Sequence, residues 1–289
     1  MKTLLQTVAV AFSLYSRIPV PRVEWNAKNM RYALCALPFV GAVTGLLLGL
    51  WGFLCRQLAI GIPLWGAGVA LLPVAVTGGI HLDGFCDTCD ALASHAERER
   101  KLAIMKDSHA GAFAILGAVC YFLLYFGLAC EAERGRETAL CLGLGMMLLR
   151  ALAGLAMCRL PCAKDSGLAH AFADAAAKRG AGRFLAALAL LLAVLLCLLA
   201  GPAGALCLAA AALAFLGYRR MALGQFGGIT GDLQGWFVQM GEVLVLAALV
   251  LFPVPRPWAT GLIAFALALT VAALVSYAMN FRKMMQNNL

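Results

Sequence analysis

Three aspartates recur at helical spacing in one polar segment of the chain. Residues 78–111 read GGIHLDGFCDTCDALASHAERERKLAIMKDSHAG. If the segment is helical from about Asp83, then Asp83, Asp87 and Asp90 stand at i, i+4 and i+7 on one face. Clustered carboxylates repel one another unless a cation neutralises them, and Mg²⁺ prefers carboxylates together with phosphate oxygens and water. The spacing therefore indicates a Mg²⁺ site, with a solvated acidic helix face as the alternative.

The end of the same segment carries further polar groups. Lys106 would bind phosphate as a point charge, although a juxtamembrane lysine that holds the next span is an equal alternative. Asp107 and Ser108 follow it, and Asp107 would add a carboxylate. His81 and His109 flank the segment, where each would contact a phosphate.

A second candidate element surrounds Asp232. Residues 219–235 read RRMALGQFGGITGDLQG and are predicted to form a glycine-rich loop. Such a loop can turn backbone amides towards phosphate oxygens, while Asp232 would complete the metal site. A flexible connector is the alternative, but Arg219 and Arg220 immediately before the loop favour binding of an anion.

Two charged residues and two cysteines need separate readings. Arg150 and Glu242 fall within apolar stretches, where charges are costly and are expected to pair or to serve function inside the bundle. Cys86 and Cys89 resemble half of a zinc site, but no second pair exists in the sequence, so zinc is not expected.

Helices that cross a membrane must position these residues. The chain has 289 residues, 63% hydrophobic and 13% charged, whereas soluble domains are about a quarter charged. Apolar stretches of about 20 residues recur, each long enough to cross the hydrocarbon core. They lack the alternation of a barrel, so the sequence predicts an all-α polytopic transmembrane bundle of about eight spans. The spans are roughly 32–55, 58–78, 110–130, 138–158, 184–200, 203–217, 236–252 and 258–279.

Positive charge predicts the orientation of the bundle. With both termini in the cytoplasm, most of the 23 lysines and arginines fall in cytoplasmic segments, as the positive-inside rule requires. This asymmetry accounts for the net charge of +9, and no nucleic-acid partner is expected. We expect one integral membrane domain over 1–289. Its cytoplasmic catalytic loops are about 80–109, 159–183 and 218–235.

Local sequence signals indicate the structure of residues 1–21 and of residues 201–204. Residues 1–21 resemble a signal peptide, but Gln6 interrupts the apolar stretch and no small-x-small cleavage site follows. We expect an interfacial or partly inserted helix that is retained. Residues 201–204, GPAG, predict a tight helical hairpin between two short spans.

Four blocks of the sequence resemble the cobalamin synthases, the adenosylcobinamide-GDP ribazoletransferases. Residues 78–90 resemble the acidic signature of that family, and residues 104–111, IMKDSHAG, its second block. Residues 227–235, GGITGDLQG, are similar to its C-terminal signature, and residues 16–19, SRIP, to its N-terminal one. The chain departs from the family pattern at four positions. The family has small residues at the positions of Cys86 and Cys89, glycine at that of Ala91 and arginine at that of His109.

The resemblance implies a Mg²⁺-dependent phosphotransferase that completes the nucleotide loop of cobalamin. It would join α-ribazole, or its 5′-phosphate, to adenosylcobinamide-GDP and release GMP. This sequence supplies a metal set, Asp83, Asp87, Asp90 and Asp232, and a catalytic set that adds Lys106 and Asp107. The expected substrate contacts are Arg17, His81, Ser108, His109, Arg219, Arg220, Gly228 and Thr230.

The resemblance also implies a location and partners. We expect the bacterial cytoplasmic (inner) membrane, with membrane lipid around the chain. Other cobalamin-assembly enzymes and further copies of the chain, as a homo-oligomer, are candidate partners.

Three other functions fit parts of the sequence. Asp83 and Asp87 also fit the first metal motif of intramembrane prenyltransferases, but no second motif of similar spacing exists. CDP-alcohol phosphotransferases place aspartates at a membrane face, but their Asp-Gly-x-x-Ala-Arg motif is not found here. A cation or solute transporter would use Arg150 and Glu242 as pathway charges.

Overall fold

The computed structural model describes residues 2–164 and 177–251, and helices dominate both ranges. The predicted span 258–279 and the C-terminus lie outside the described residues. A 3₁₀ turn at Ala33–Ala36 precedes the first long helix. The α-helices are α1 Lys2–Tyr15, α2 Ala27–Met30, α3 Leu37–Gln57, α4 Ile62–Thr77, α5 Ile80–Ala93, α6 Arg98–Ile104, α7 Ala112–Glu131, α8 Arg136–Arg159, α9 Lys178–Phe226 and α10 Gly231–Leu251.

The predicted fold class is confirmed. Of the described helices, five are long and apolar enough to cross a membrane, or six if α4 and α5 form one broken span. The total of about eight spans and the cytoplasmic placement of the termini remain predictions. The N-terminal segment is the 14-residue helix α1, and its interfacial or partly inserted position remains a prediction.

A sharp bend separates α4 from α5. The two helices meet at 98°, and the residues between them, Gly78 and Gly79, have φ angles of 66° and 84°. This left-handed region is easily reached only by glycine. The backbone amide of Arg17 donates to the carbonyl of Val76 at 2.8 Å, and the Arg17 side chain packs over Gly78. The bend directs α5 against α7 and α10 instead of continuing the line of α4.

The turn predicted at 201–204 is confirmed within α9. Gly201 has non-helical φ and ψ angles of 55° and −131°. Gly204 then lies directly against the carbonyl oxygen of Leu196. In a continuous helix Leu196 and Gly204 would be too far apart to touch. Their contact shows that the chain turns back at Gly201 and divides α9 into two halves.

Helix α8 is the most buried of the candidate spans. Gly41 and Gly45 of α3 lie directly against the backbone of Met146 and Gly143 of α8. Small residues allow this close approach, which is typical of helix pairs in membranes. The other faces of α8 pack against α9 and α10, so α8 forms the centre of the described bundle.

A buried ion pair connects α8 to α10. Arg150 Nη1 lies 2.9 Å from Glu242 Oε1, and both side chains are 1% exposed. Arg150 Nη1 also donates to the carbonyl of Met146 at 3.1 Å. Of the two alternatives expected for these intramembrane charges, pairing or a functional role, the structure shows pairing. The pair ties the helix that carries Asp232 to the bundle centre.

Removal of one partner of this pair tests its structural role. We expect Arg150→Leu to lower the free energy of unfolding by about 3–5 kcal/mol, because it leaves the Glu242 carboxylate buried without its cation. The double variant Arg150→Leu/Glu242→Leu should lose less than Arg150→Leu alone. Unfolding in detergent, followed by circular dichroism, measures both. Losses that simply add in the double variant would contradict the pairing.

Candidate active site

Helices α5 and α10 cross in direct backbone contact. A Cβ atom added to Gly84 of α5 would lie 2.6 Å from the Cα of Asp232, and one added to Gly235 of α10 would lie 2.6 Å from the carbonyl oxygen of His81. Glycine at both points removes the side chains that would hold the helices apart. The crossing brings the acidic face of α5 beside Asp232, as expected from the sequence.

The carboxylates of the two helices form one electrostatic cluster. Asp83 is exposed, whereas Asp87 and Asp232 are half-buried. The negative charges of Asp83, Asp232 and Asp90 all act on the Asp87 carboxylate, and the charge of Lys164 opposes them. The Asp232 carboxylate likewise interacts with the positive charge of Lys164 and the negative charge of Asp83. The cluster therefore concentrates negative charge that a cation would stabilise.

Asp90 has a second task within this cluster. Its two carboxylate oxygens accept hydrogen bonds from the amides of Gly111, at 2.7 Å, and Ala114, at 2.8 Å. Gly111 is the N-cap residue of α7 and Ala114 lies in its first turn, so neither amide has a partner within the helix. A carboxylate is also favoured by the positive end of the helix dipole. Asp90 thus caps α7 and fixes α5 against it.

The glycine-rich stretch before α10 is shorter than predicted. Helix α9 continues to Phe226, and α10 begins at Gly231, so only residues 227–230 form a loop. The prediction of a loop over 218–235 is therefore mostly wrong. Most of these residues are helical, because the apolar pattern of both helices extends into the segment. Asp232 lies in the first turn of α10.

Residues 160–164 are held against this short loop by backbone pairing. Ile229 donates to the carbonyl of Pro161 at 2.8 Å, and Ala163 donates to the carbonyl of Ile229 at 2.9 Å. Gly228 makes room, since an added Cβ would lie 2.6 Å from the Pro161 oxygen. This pairing brings Lys164 to the site. In the sequence, Lys164 stands out only as one of the positive charges of the cytoplasmic segment 159–183.

Helix α6 closes the same end of the bundle. Lys101 Nζ donates to Gln225 Oε1 of α9 at 3.0 Å. The guanidinium of Arg98 packs against Gly227. The three polar segments predicted to carry chemistry therefore meet where they are described. Residues 165–176 of the second segment lie outside the described residues.

Lys106 lies near enough to Lys164 for the two positive charges to interact. Burial lowers the pKa of the Lys164 ammonium, the carboxylate of Asp232 raises it, Lys106 lowers it and Asp87 raises it, with a net lowering. Lys106 itself is exposed. The phosphate-binding role expected of Lys106 stays a prediction.

The residues after Lys106 form a small exposed turn. His109 donates through its backbone amide to Asp107 Oδ1 at 3.0 Å, and its Nδ1 lies 2.8 Å from the same oxygen. The side-chain hydrogen bond from His109 is the main cause that lowers the pKa of the Asp107 carboxyl group. Ser108 is exposed beside them. The structure places this turn at the site end of α7 but does not insert Asp107 into the carboxylate cluster.

His81 and Arg17 lie at the α4–α5 bend. The His81 ring is 7% exposed and stacks on Tyr15 with 6.5 Å between ring centroids. Arg17 is exposed and covers Gly78. His81 therefore contributes to packing in this structure, whereas Arg17 keeps an exposed guanidinium, and the phosphate contacts expected of both remain predictions.

The remaining predicted substrate contacts flank the 227–230 loop. Arg219 is half-buried and Arg220 exposed near the end of α9. The amide of Gly228 donates to the carbonyl of Ala222 at 3.0 Å and is thus already paired. Thr230 Oγ1 accepts from the amide of Leu233 at 3.1 Å and hydrogen-bonds the Asp232 side chain. Gly228 and Thr230 therefore shape the start of α10.

The two cysteines of α5 are packing residues here. Cys89 lies against Gly117 of α7, and both Cys86 and Cys89 pack on the apolar cluster around Tyr121. Over residues 2–164 and 177–251, no three His, Cys, Asp or Glu side chains are grouped closely enough to hold a metal ion by themselves.

The donor set nevertheless suits Mg²⁺. This ion usually binds one or two carboxylates and completes its shell with water and substrate phosphates, so a full protein cage is not required. Asp83, Asp87 and Asp232 offer hard oxygens at one location, with their charges unbalanced except by lysines. A substrate phosphate would complete such a shell.

The fold and the site define a multi-pass membrane protein that gathers carboxylates and lysines at one end of its helix bundle. Residues 7–250 match the model of the family described as Cobalamin-5-phosphate synthase. The chain belongs to this family.

Curated relatives agree with the family match. A protein of Lachnoclostridium phytofermentans named adenosylcobinamide-GDP ribazoletransferase is 38% identical over 248 residues, which cover 86% of this chain and 94% of the relative. Proteins with the same name from Geobacillus thermodenitrificans and Clostridium botulinum strain Alaska E43 are 33% and 29% identical, over 82% and 87% of this chain and 92% and 100% of their own. No solved structure matches the chain at a significant level. The prenyltransferase, CDP-alcohol phosphotransferase and transporter alternatives are set aside by these findings.

The capping role of Asp90 can be separated from metal binding. We expect Asp90→Ala to lower the free energy of unfolding by about 0.5–2 kcal/mol, because two amides of α7 lose their acceptor. The affinity of the carboxylate cluster for added Mg²⁺ should stay near the wild-type value. Thermal unfolding and Mg²⁺ titration measure the two effects, with Asp90→Asn as an intermediate that keeps one acceptor oxygen. Unchanged stability with a lowered Mg²⁺ affinity would instead make Asp90 a ligand.

The helix crossing gives a second test. Gly84→Ala should destabilise the protein by about 1–3 kcal/mol and lower activity, because its methyl group meets the backbone of α10. Gly49→Ala is the matched control, since nothing lies within 4 Å of a Cβ atom at that helical position. Thermal unfolding and product formation are measured for both. Equal behaviour of the two variants would contradict the close crossing.

Proposed function

We propose that this chain is an adenosylcobinamide-GDP ribazoletransferase that completes the nucleotide loop of cobalamin. The substrates are adenosylcobinamide-GDP and α-ribazole or its 5′-phosphate, and the products are adenosylcobalamin or its 5′-phosphate and GMP. The family match and the names of the relatives support this reaction.

One observation in the structure carries the proposal. The acidic helix α5 and the first turn of α10 meet at Gly84 and Asp232, so carboxylates from two distant parts of the sequence form one cluster. Lys164 and Lys106 lie beside it. Carboxylates for a metal ion next to lysines for phosphate oxygens suit transfer from a pyrophosphate.

The reaction replaces a phosphoanhydride bond of the pyrophosphate with a phosphate ester bond to the ribose. The ribose 3′-hydroxyl of α-ribazole attacks the phosphorus atom attached to the cobinamide arm. A new P–O bond forms, the bond from this phosphorus to the bridging oxygen breaks, and GMP leaves with that oxygen. The hydroxyl proton passes to a carboxylate of the site.

The protein contributes mainly position and charge to such a transfer. Asp83, Asp87 and Asp232 would hold Mg²⁺, which supplies charge neutralisation of the pyrophosphate oxygens when bound. Lys106 and Arg220 are exposed at the same end of the bundle and supply further positive charge. Asp90 fixes α5 against the start of α7 through two amides, and the charges of Asp87 and Asp232 interact across the α5–α10 crossing.

The surroundings of the chain are part of the proposal. Exposed leucine, isoleucine and phenylalanine side chains on α7 favour contact with lipid, which supports a multi-pass location in the bacterial cytoplasmic membrane. The positive-inside distribution of charge supports a cytoplasmic site, where GMP would be released.

Reconstitution tests the activity directly. Purified protein in liposomes with adenosylcobinamide-GDP, α-ribazole and Mg²⁺ should release GMP and form cobalamin in equal amounts, followed by chromatography. Asp83→Asn, Asp87→Asn and Asp232→Asn should each lower kcat by about 10²-fold or more, because charge stabilisation of the transferred group is lost.

Glu133→Gln is the matched control for these variants. Glu133 is an exposed carboxylate beyond the opposite end of α7, so its removal should leave kcat at the wild-type value. Absence of product with the wild-type protein, or full activity of the three aspartate variants, would overturn the proposed function.

A further inference from the structure

Lys164 is placed at the site by backbone contacts rather than by its own side chain. The parallel bridge between Cys162 and Ile229 fixes residues 160–164 beside the start of α10. Gly228 has no side chain to obstruct this contact. Any side chain at position 164 is therefore carried to the same location, and the chain has a lysine there.

The charge of Lys164 faces carboxylates from two helices. It acts on Asp232 of α10 and on Asp87 of α5, and both carboxylates act on it in return. Its ammonium forms no close ion pair with a carboxylate among the described residues. A half-buried cation that is near the cluster but not bonded to it can still accept a further anion.

A substrate pyrophosphate would need such a cation. Three carboxylates repel an incoming phosphate group, and one partly buried lysine beside them supplies attraction that water screens weakly. Lysine contacts phosphate as a point charge on a flexible stem, so it can reach an oxygen without moving the backbone.

We propose that Lys164 binds the pyrophosphate of adenosylcobinamide-GDP beside the carboxylate cluster and positions it for transfer. This role rests on the proposed function. It distinguishes Lys164 from Lys101, whose ammonium is used to hold α6 on Gln225.

A purely structural lysine would behave differently. If Lys164 only neutralised the carboxylates, its loss would weaken the fold and the site together. If it binds the pyrophosphate, its loss weakens substrate binding, while the carboxylates become more negative and bind a divalent cation at least as well. Both roles leave the carboxylates more negative when the lysine is lost, so pyrophosphate affinity, and not metal affinity, separates them.

The test compares Lys164→Gln, Lys164→Arg and Lys178→Gln with the wild type. Lys178 is an exposed lysine at the start of α9 and serves as the control. We expect Lys164→Gln to raise KM for adenosylcobinamide-GDP about tenfold, the effect of losing about 1.4 kcal/mol of binding free energy. Lys164→Arg should recover most of it, and Lys178→Gln should match the wild type.

Two binding measurements need no turnover. Affinity for Mn²⁺ alone, measured by electron paramagnetic resonance, should be equal or higher in Lys164→Gln. Affinity for inorganic pyrophosphate with Mn²⁺ present, measured by calorimetry, should fall about tenfold. Wild-type KM in Lys164→Gln, or wild-type pyrophosphate affinity together with a lowered thermal stability, would overturn the role of Lys164.

The outcomes also separate this role from the proposed function. If the wild type forms no cobalamin but Lys164→Gln still loses pyrophosphate affinity, the reaction is wrong and the phosphate-binding role stands. If the wild type is active and Lys164→Gln binds pyrophosphate normally, the reaction stands and the role of Lys164 is wrong.

Discussion

The close crossing of α5 and α10 is the contact on which the site depends. Gly84 meets the backbone of Asp232, and Gly235 meets that of His81, so neither helix carries a side chain that would separate them. Without this approach, the carboxylates of α5 and the carboxylate of α10 would belong to different surfaces. The bend at Gly78 and Gly79 is required for the same reason, because it directs α5 towards α10.

Other contacts maintain this crossing against the repulsion of its charges. The Arg150–Glu242 pair anchors α10 to α8 within the bundle, where an unpaired charge would be costly. Asp90 anchors α5 to the start of α7 through two amides. The pairing of Ile229 with residues 161–163 brings a lysine to the carboxylates. Rigid helices thus hold charges of both signs at one end of the bundle, as transfer between phosphates requires.

Sequence reasoning succeeded where the signal was local. The spacing of Asp83, Asp87 and Asp90 suited one face of a helix, and this segment is the helix α5. The residues at 201–204 predicted the turn in α9. The pairing of Arg150 with Glu242 followed from the cost of isolated charges in lipid. Prediction from the sequence failed where a contact between residues far apart in the chain determines the structure. Asp90 bonds amides more than 20 residues away, and Lys164 is placed by pairing between residues that share no sequence pattern, although its position after Pro161 in a polar segment was a usable hint.

The central claim is that carboxylates on α5 and α10 act as one unit, and a double-mutant cycle in kcat/KM tests it most directly. Asp87→Asn, Asp232→Asn and the double variant are compared with the wild type in the reconstituted transfer reaction. Residues that act together lose most of their effect with the first substitution, so the double variant should be about as impaired as the more impaired single variant. Losses that multiply in the double variant would show that the two aspartates work independently and would contradict the account.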